Sequence, residues 1–122
     1  MISGGALTEL LDQVRLQGLL DTLGPAVVGT LVQKVFDESV KLQRECREAA
    51  ASGEGESLKR AVHNIKGMMG NLAAKGCYDM GHRLEGYCRD GRVADAAAGV
   101  PEYLDVMDQS IEALRAAVEA AS

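Results

Sequence analysis

His63 is the residue of this sequence best suited to chemistry, because an imidazole can act as a nucleophile, a proton carrier or a metal ligand. The surrounding segment, residues 58–72, reads LKRAVHNIKGMMGNL. On a helix with about 100° between residues, its main apolar residues fall on the side opposite the histidine. These are Leu58, Ala61, Ile65, Met68, Met69 and Leu72. His63 is therefore predicted to point away from a hydrophobic core.

The residues on the histidine's own side of this helix are either basic or lack a side chain: Lys59, Arg60, Lys66, Gly67 and Gly70. The lysines and the arginine lie one turn from His63, a separation at which helical side chains can meet. Gly67 removes the side chain that would stand over the ring, and Gly70 clears the following turn. A glycine inside a helix costs about 1 kcal/mol relative to alanine, so close approach by another protein would explain the pair.

The same spacing has a second interpretation, which the pattern alone does not exclude. His63 would then be an ordinary surface histidine, the basic residues would form a solvated face, and the glycines would accommodate neighbouring helices. His82 is a rival candidate because it also points away from an apolar stripe, but Tyr78, Asp79 and Glu85 surround it in the sequence. An acidic setting disfavours an anionic group on that ring. A metal site is not predicted, because no carboxylate shares the helix face of His63.

Residues 62–72, VHNIKGMMGNL, resemble the H-x-x-K-G segment of histidine phosphotransfer (HPt) domains. Val62, His63, Ile65, Lys66 and Gly67 fill the places of that motif, and Leu72, Ala73 and Ala74 follow it. The similarity continues through Cys77, Met80, the Leu84-Glu85 pair and Asp90-Gly91, and Phe36 stands in a family-like place in the preceding helix. The sequence departs from the family pattern at Met68-Met69, where small residues are usual, and at Ala73, where glycine is common.

The resemblance implies a phosphoryl carrier of two-component signalling, with His63 exchanging the group with the aspartate of a response-regulator receiver domain. Lys66, and less directly Lys59 and Arg60, would offset the charge of the transferred group. The implied partners are a receiver domain and a histidine kinase or hybrid kinase. The chain would need no cofactor of its own, since the magnesium ion would belong to the receiver, and it would have no kinase activity. A docking module that regulates a kinase or receiver without being phosphorylated is the alternative.

Long amphipathic helices joined by short turns are predicted to position these residues. The fold class is all-α: an up-and-down four-helix bundle with a short N-terminal helical cap, forming a single domain over residues 1–122. The expected helices cover about 6–23 (bent or divided at Gly18), 25–51, 55–72, 75–89 and 93–120, the last with Pro101 as a point where it could bend or break.

Composition narrows the remaining possibilities. The net charge of −5, with dispersed basic residues, disfavours nucleic acid as a partner. No apolar run approaches the roughly 20 residues of a membrane-spanning helix, and the N-terminus lacks the pattern of a secretory signal. A cytoplasmic protein without a membrane partner is expected. The cysteines are predicted to be reduced thiols that act as small core residues: Cys46, Cys77 and Cys88.

Overall fold

A computed structural model describes residues 10–122 of the chain, and within this range it is helical without strands. The helices are α1 (Gln13–Leu23), α2 (Pro25–Ser52), α3 (Gly55–Gly70), α4 (Lys75–Arg89) and α5 (Val93–Ala121). Residues 6–9 of the predicted first helix lie outside the described range. Residues 10–12 are described but are not helical, so the helix begins at Gln13 and not near residue 6, with Asp12 as its cap. Helix α1 runs through Gly18 without a division, so the predicted break there is wrong.

The four longer helices form the predicted up-and-down bundle. Each of them packs against its neighbour in the sequence, and α5 closes the ring by packing against α2. The short helix α1 lies against α2 and caps the bundle. The all-α fold class is therefore confirmed.

The ends of the helices follow from local chemistry. The Asp12 carboxylate accepts a hydrogen bond from the backbone N–H of Arg15 at 3.1 Å and caps α1. Gly24, with a φ of +84°, stops that helix, and Pro25 starts the next at the position where its missing N–H costs nothing. Helix α3 ends at Gly70 rather than at residue 72, because the chain turns sharply through Ala73, whose φ is +63°.

Helix α5 passes through Pro101 without a break, although the sequence indicates this proline as a point where the helix could bend or break. The proline removes one helical hydrogen bond. The residues around it, Val100 and Tyr103, are buried in the core and hold the helix against its neighbours. Tertiary packing thus outweighs the local cost of the proline.

The core is built mainly from leucine, valine, isoleucine, methionine and alanine, with the fully buried Tyr103 as its largest side chain. All three cysteines are free thiols. Burial raises the pKa of the Cys46 thiol to about 11 and that of Cys77 to about 12. Cys46 and Cys77 are therefore core residues as predicted, whereas Cys88 is only partly buried.

Within residues 10–122, no single helix has both the length and the apolar composition needed to cross a membrane. Helices α1 and α2 meet such a criterion only when they are taken together as a pair bent by 117°.

Candidate functional site

His63 lies in the middle of α3 and faces away from the bundle, as its spacing predicts. Its side chain is 64% exposed. Leu58, Ala61, Ile65 and Met69 on the opposite side of α3 are buried, and Met68 is partly buried against the core. The amphipathic pattern of this helix therefore fixes the histidine on the protein surface.

Glu85 of α4 holds the histidine ring through one nitrogen. Its Oε2 atom lies 3.0 Å from Nδ1 of His63, and its Oε1 atom lies 2.5 Å from Nζ of Lys66. The Glu85 side chain is only 8% exposed, so this carboxylate lies at the interface of α3 and α4 beneath the ring. The sequence pattern excluded carboxylates only on the histidine's own helix face, whereas this carboxylate comes from the next helix.

The environment of Glu85 keeps its carboxyl group ionised. Burial alone would raise its pKa, but hydrogen bonds from Lys66 and His63, together with their charges, outweigh burial and lower the pKa below the ordinary value of 4.5. An ionised carboxylate can only accept hydrogen bonds. Nδ1 of His63 must therefore carry the hydrogen and donate it to Glu85.

This hydrogen bond determines which nitrogen of His63 is available for reaction. When Nδ1 carries the hydrogen, the lone pair of the neutral ring is on Nε2. No hydrogen bond or ion pair joins Nε2 to any other part of residues 10–122. Nε2 is thus the ring nitrogen that is left available for reaction.

Lys66 lies beside His63 as predicted, but its ammonium group is directed towards the protein. The side chain is 13% exposed, and Nζ lies 5.3 Å from the centre of the Tyr78 ring while it pairs with Glu85. The Glu85 carboxylate therefore already balances the charge of Lys66. Its direct effect on an anion bound at Nε2 is correspondingly reduced.

The two glycines predicted to clear the histidine's face have different surroundings. A Cβ atom on Gly67 would meet nothing within 4 Å, so the surface beside the ring is open. A Cβ atom on Gly70 would lie 2.7 Å from Cδ2 of Tyr78. The expectation that Gly70 clears the surface for a partner is wrong, because its missing side chain makes room for α4.

Lys59 and Arg60 lie one turn before His63 and border a groove of about 380 Å³ between α3 and α4. The groove is lined by Glu56, Lys59, Arg60, His63, Glu85 and Arg89. Nζ of Lys59 lies 3.9 Å from Oε1 of Glu56, while Arg60 is exposed. The structure thus brings the predicted basic residues to the histidine and adds Arg89 from α4.

Two further residues that the sequence did not single out set the register of α3 against α4. A Cβ atom on Gly81 would lie 2.6 Å from Oη of Tyr103 and 3.0 Å from Cβ of Lys66. The Tyr103 hydroxyl donates a hydrogen bond of 3.2 Å to the carbonyl oxygen of Val62, next to His63. The close packing that brings Glu85 to His63 therefore depends on a glycine in α4 and a tyrosine in α5.

One signal in the sequence could have identified Glu85 before the structure was known. The buried face of α4 carries Cys77, Gly81 and Leu84, and Glu85 lies on it beside them. A carboxylate on a buried helix face needs a cationic or hydrogen-bonding partner. Lys66 and His63 on the preceding helix are suitable partners.

His82, the rival candidate, is exposed on α4 and stacks on Tyr78, with ring centroids 6.5 Å apart and planes 6° apart. Glu85 contacts His63 instead of His82. Among the residues that the structure describes, no group of three or more histidine, cysteine or acidic side chains could hold a metal ion.

The family model of the Hpt domain matches residues 30–120, which extend from the first turns of α2 almost to the end of α5. Most of the chain and the whole site around His63 fall within this match. The chain therefore belongs to the Hpt domain family. Members of this family are phosphoryl carriers of two-component signalling rather than kinases. No curated protein and no solved structure matches the chain.

Proposed function

We propose that this protein is a phosphorelay intermediate that accepts a phosphoryl group on Nε2 of His63 and passes it on. The donors and acceptors are aspartates of response-regulator receiver domains, and a histidine kinase or hybrid kinase lies upstream. The observation that carries the proposal is the hydrogen bond from Nδ1 of His63 to Glu85, which leaves a nucleophilic Nε2 on an exposed ring.

The transfer step follows from this geometry. The lone pair of Nε2 attacks the phosphorus of an aspartyl phosphate in line, an N–P bond forms, and the P–O bond breaks with its electrons going to the aspartate carboxylate. The ring then carries positive charge, and its Nδ1 hydrogen stays bonded to Glu85. The carboxylate stabilises that charge and keeps the ring in one orientation through the step.

The reverse step uses the same contacts. A phosphorylated ring that keeps its hydrogen on Nδ1 is a cationic leaving group, so attack by an aspartate carboxylate on the phosphorus releases a neutral imidazole. The chain itself brings no metal to this reaction in our proposal, and the magnesium ion belongs to the receiver. The open surface at Gly67 gives the receiver access to Nε2.

The competing function is a docking module that binds a kinase or receiver and is never phosphorylated. The arrangement of His63, Glu85 and Lys66 favours the carrier, because a docking surface does not require a ring held by one nitrogen with the other exposed.

The test is incubation of the full chain with phosphorylated receiver domains from the same organism. We expect acid-labile, base-stable label on the wild type and none on His63→Gln, with His82→Gln as the matched control that keeps its label. Label on His63→Gln at the wild-type rate would refute the assignment. If no receiver labels the wild type but receivers still bind it, the docking module is the correct function.

A further inference from the structure

The groove beside His63 has an excess of positive charge once its ion pairs are counted. Of the charged groups that line it, Glu56 lies 3.9 Å from Lys59, and Glu85 pairs with Lys66 at its edge. Two cations remain, Arg60 from α3 and Arg89 from α4. Within residues 10–122, neither arginine forms an ion pair or a side-chain hydrogen bond.

The two arginines come from helices on opposite sides of the groove. Arg60 precedes His63 by three residues on α3, and Arg89 follows Glu85 by four residues on α4, so each lies one turn from a residue that forms the site. A Cβ atom on Gly86 would lie 3.6 Å from Nη2 of Arg89. The guanidinium of Arg89 therefore folds back along α4 towards Gly86, the residue that follows Glu85.

Arg60 also borders a second groove, between α2 and α3, that is lined by Glu45 and Glu48. Neither carboxylate lies within ion-pair distance of Arg60, but both line that second groove with it and attract its charge away from His63. Arg89 lines only the groove that contains His63. Arg89 should therefore attract an anion in the groove beside His63 more strongly than Arg60 does.

We propose that Arg60 and Arg89 together bind the phosphoryl group carried on Nε2 of His63, a role that the H-x-x-K-G motif suggests for Lys66. This inference rests on the proposed phosphorylation of His63. Two uncompensated cations match the charge of about −1.5 to −2 that a phosphoryl group carries near pH 7. Guanidinium groups also present paired donors to phosphate oxygens, which an ammonium group does not.

The experiment needs no partner protein. The full chain is phosphorylated with phosphoramidate, a small phosphoryl donor, and the phosphorus-31 resonance of the phosphohistidine is followed against pH. A cation about 5 Å away in water favours the dianion by enough to move its protonation midpoint by about half a pH unit. Arg89→Gln should therefore raise the midpoint by about half a pH unit, and Arg60→Gln should raise it by less.

Two controls separate charge from structure. Arg83→Gln removes an exposed arginine of α4 that does not line the groove, and its midpoint should equal that of the wild type. Arg89→Lys keeps the positive charge, so its protonation midpoint should lie close to that of the wild type. In about 1 M salt the midpoints of the wild type and of Arg89→Gln should become nearly equal, because the screening length for exposed charges is then only about 3 Å.

The possible results distinguish this inference from the proposed function. If His63→Gln acquires the same resonance as the wild type, or if the wild type acquires none, phosphorylation of His63 fails and the inference fails with it. If the wild type is phosphorylated on His63 but Arg60→Gln and Arg89→Gln titrate like Arg83→Gln, only the arginine inference is overturned.

Discussion

Replacement of Gly81 by alanine should separate the helices that form the site. The added Cβ atom would lie 2.6 Å from Oη and 3.2 Å from Cζ of Tyr103, and 3.0 Å from Cβ of Lys66. Tyr103 is fully buried and its hydroxyl is held by the carbonyl oxygen of Val62, while Cβ of Lys66 is fixed to the backbone of α3. Neither neighbour is the free end of a flexible side chain, so relief requires α3 and α4 to move apart.

The size of the effect follows from two opposing contributions. Alanine stabilises a helix by about 1 kcal/mol relative to glycine. An extra methyl group in a well-packed core costs about 1–3 kcal/mol. Gly18→Ala is the matched control, because Gly18 is also inside a helix but has nothing within 4 Å of its Cβ position. The two variants should therefore differ in free energy of unfolding by about 1–3 kcal/mol, with Gly81→Ala the less stable.

Urea unfolding followed by circular dichroism measures the stability of both variants. Phosphoryl transfer from a receiver, measured under conditions where Gly81→Ala is fully folded, gives the second readout. Transfer should slow in Gly81→Ala, because displacement of α4 carries Glu85 away from Nδ1 of His63, and it should be unchanged in Gly18→Ala. If Gly81→Ala is as stable as Gly18→Ala and transfers at the wild-type rate, the close packing does not position the site.

Three further predictions concern the residues around His63. Glu85→Gln should slow phosphoryl transfer by about five- to tenfold in a receiver assay. Its amide oxygen can still accept from Nδ1, but a neutral hydrogen bond contributes about 0.5–1.5 kcal/mol where a charged one contributes about 1.5–3 kcal/mol. An unchanged rate would show that the charge of Glu85 does not act on the ring. The free energy of unfolding, measured by urea titration, should fall as the pH drops from about 4.5 through the lowered pKa of Glu85, and Glu85→Gln should lose this part of the pH dependence. Its sign is set by the lowered pKa: the folded state binds the proton less readily than the unfolded state, so acid favours unfolding. Gly67→Leu should leave the helical circular dichroism intact but hinder transfer, because its side chain would enter open surface beside the ring; unimpaired transfer would reject the idea that the receiver needs that space.

The orientation of His63 could be predicted from the sequence because it depends on one helix alone. The apolar residues of α3 are spaced so regularly that only one side can be buried, and the histidine lies on the other. The helices could be placed for the same reason, apart from the start of α1, the C-terminal end of α3 and the continuity of α1 and α5. The end of α3 depends on the backbone conformation at Ala73, and the continuity of α5 depends on the packing around Pro101, neither of which a single-helix pattern contains. Helix α1 continues through Gly18 because one glycine costs a helix only about 1 kcal/mol.

The partner of His63 could not be predicted in this way, because it depends on how two helices cross. Gly67 and Gly70 fall on nearly the same side of α3 as the histidine, yet one is open and the other lies under Tyr78. A helical wheel ignores position along the axis, whereas α4 covers α3 at one turn and leaves it open at another. The contact between Glu85 and His63 has the same origin, since it exists only in the register that Gly81 permits.

The ion pair between Lys66 and Glu85 is better understood as a positioning device than as a source of stability. Both side chains lose most of their contact with water, and the cost of that loss offsets much of the attraction between them. An apolar pair could fill the same space, but it would leave Nδ1 of His63 without an acceptor. By holding the Glu85 carboxylate in its ionised form, Lys66 controls which nitrogen of the ring carries the hydrogen. The lysine of the H-x-x-K-G motif can thus act on the reaction through Glu85, without contacting the phosphoryl group itself.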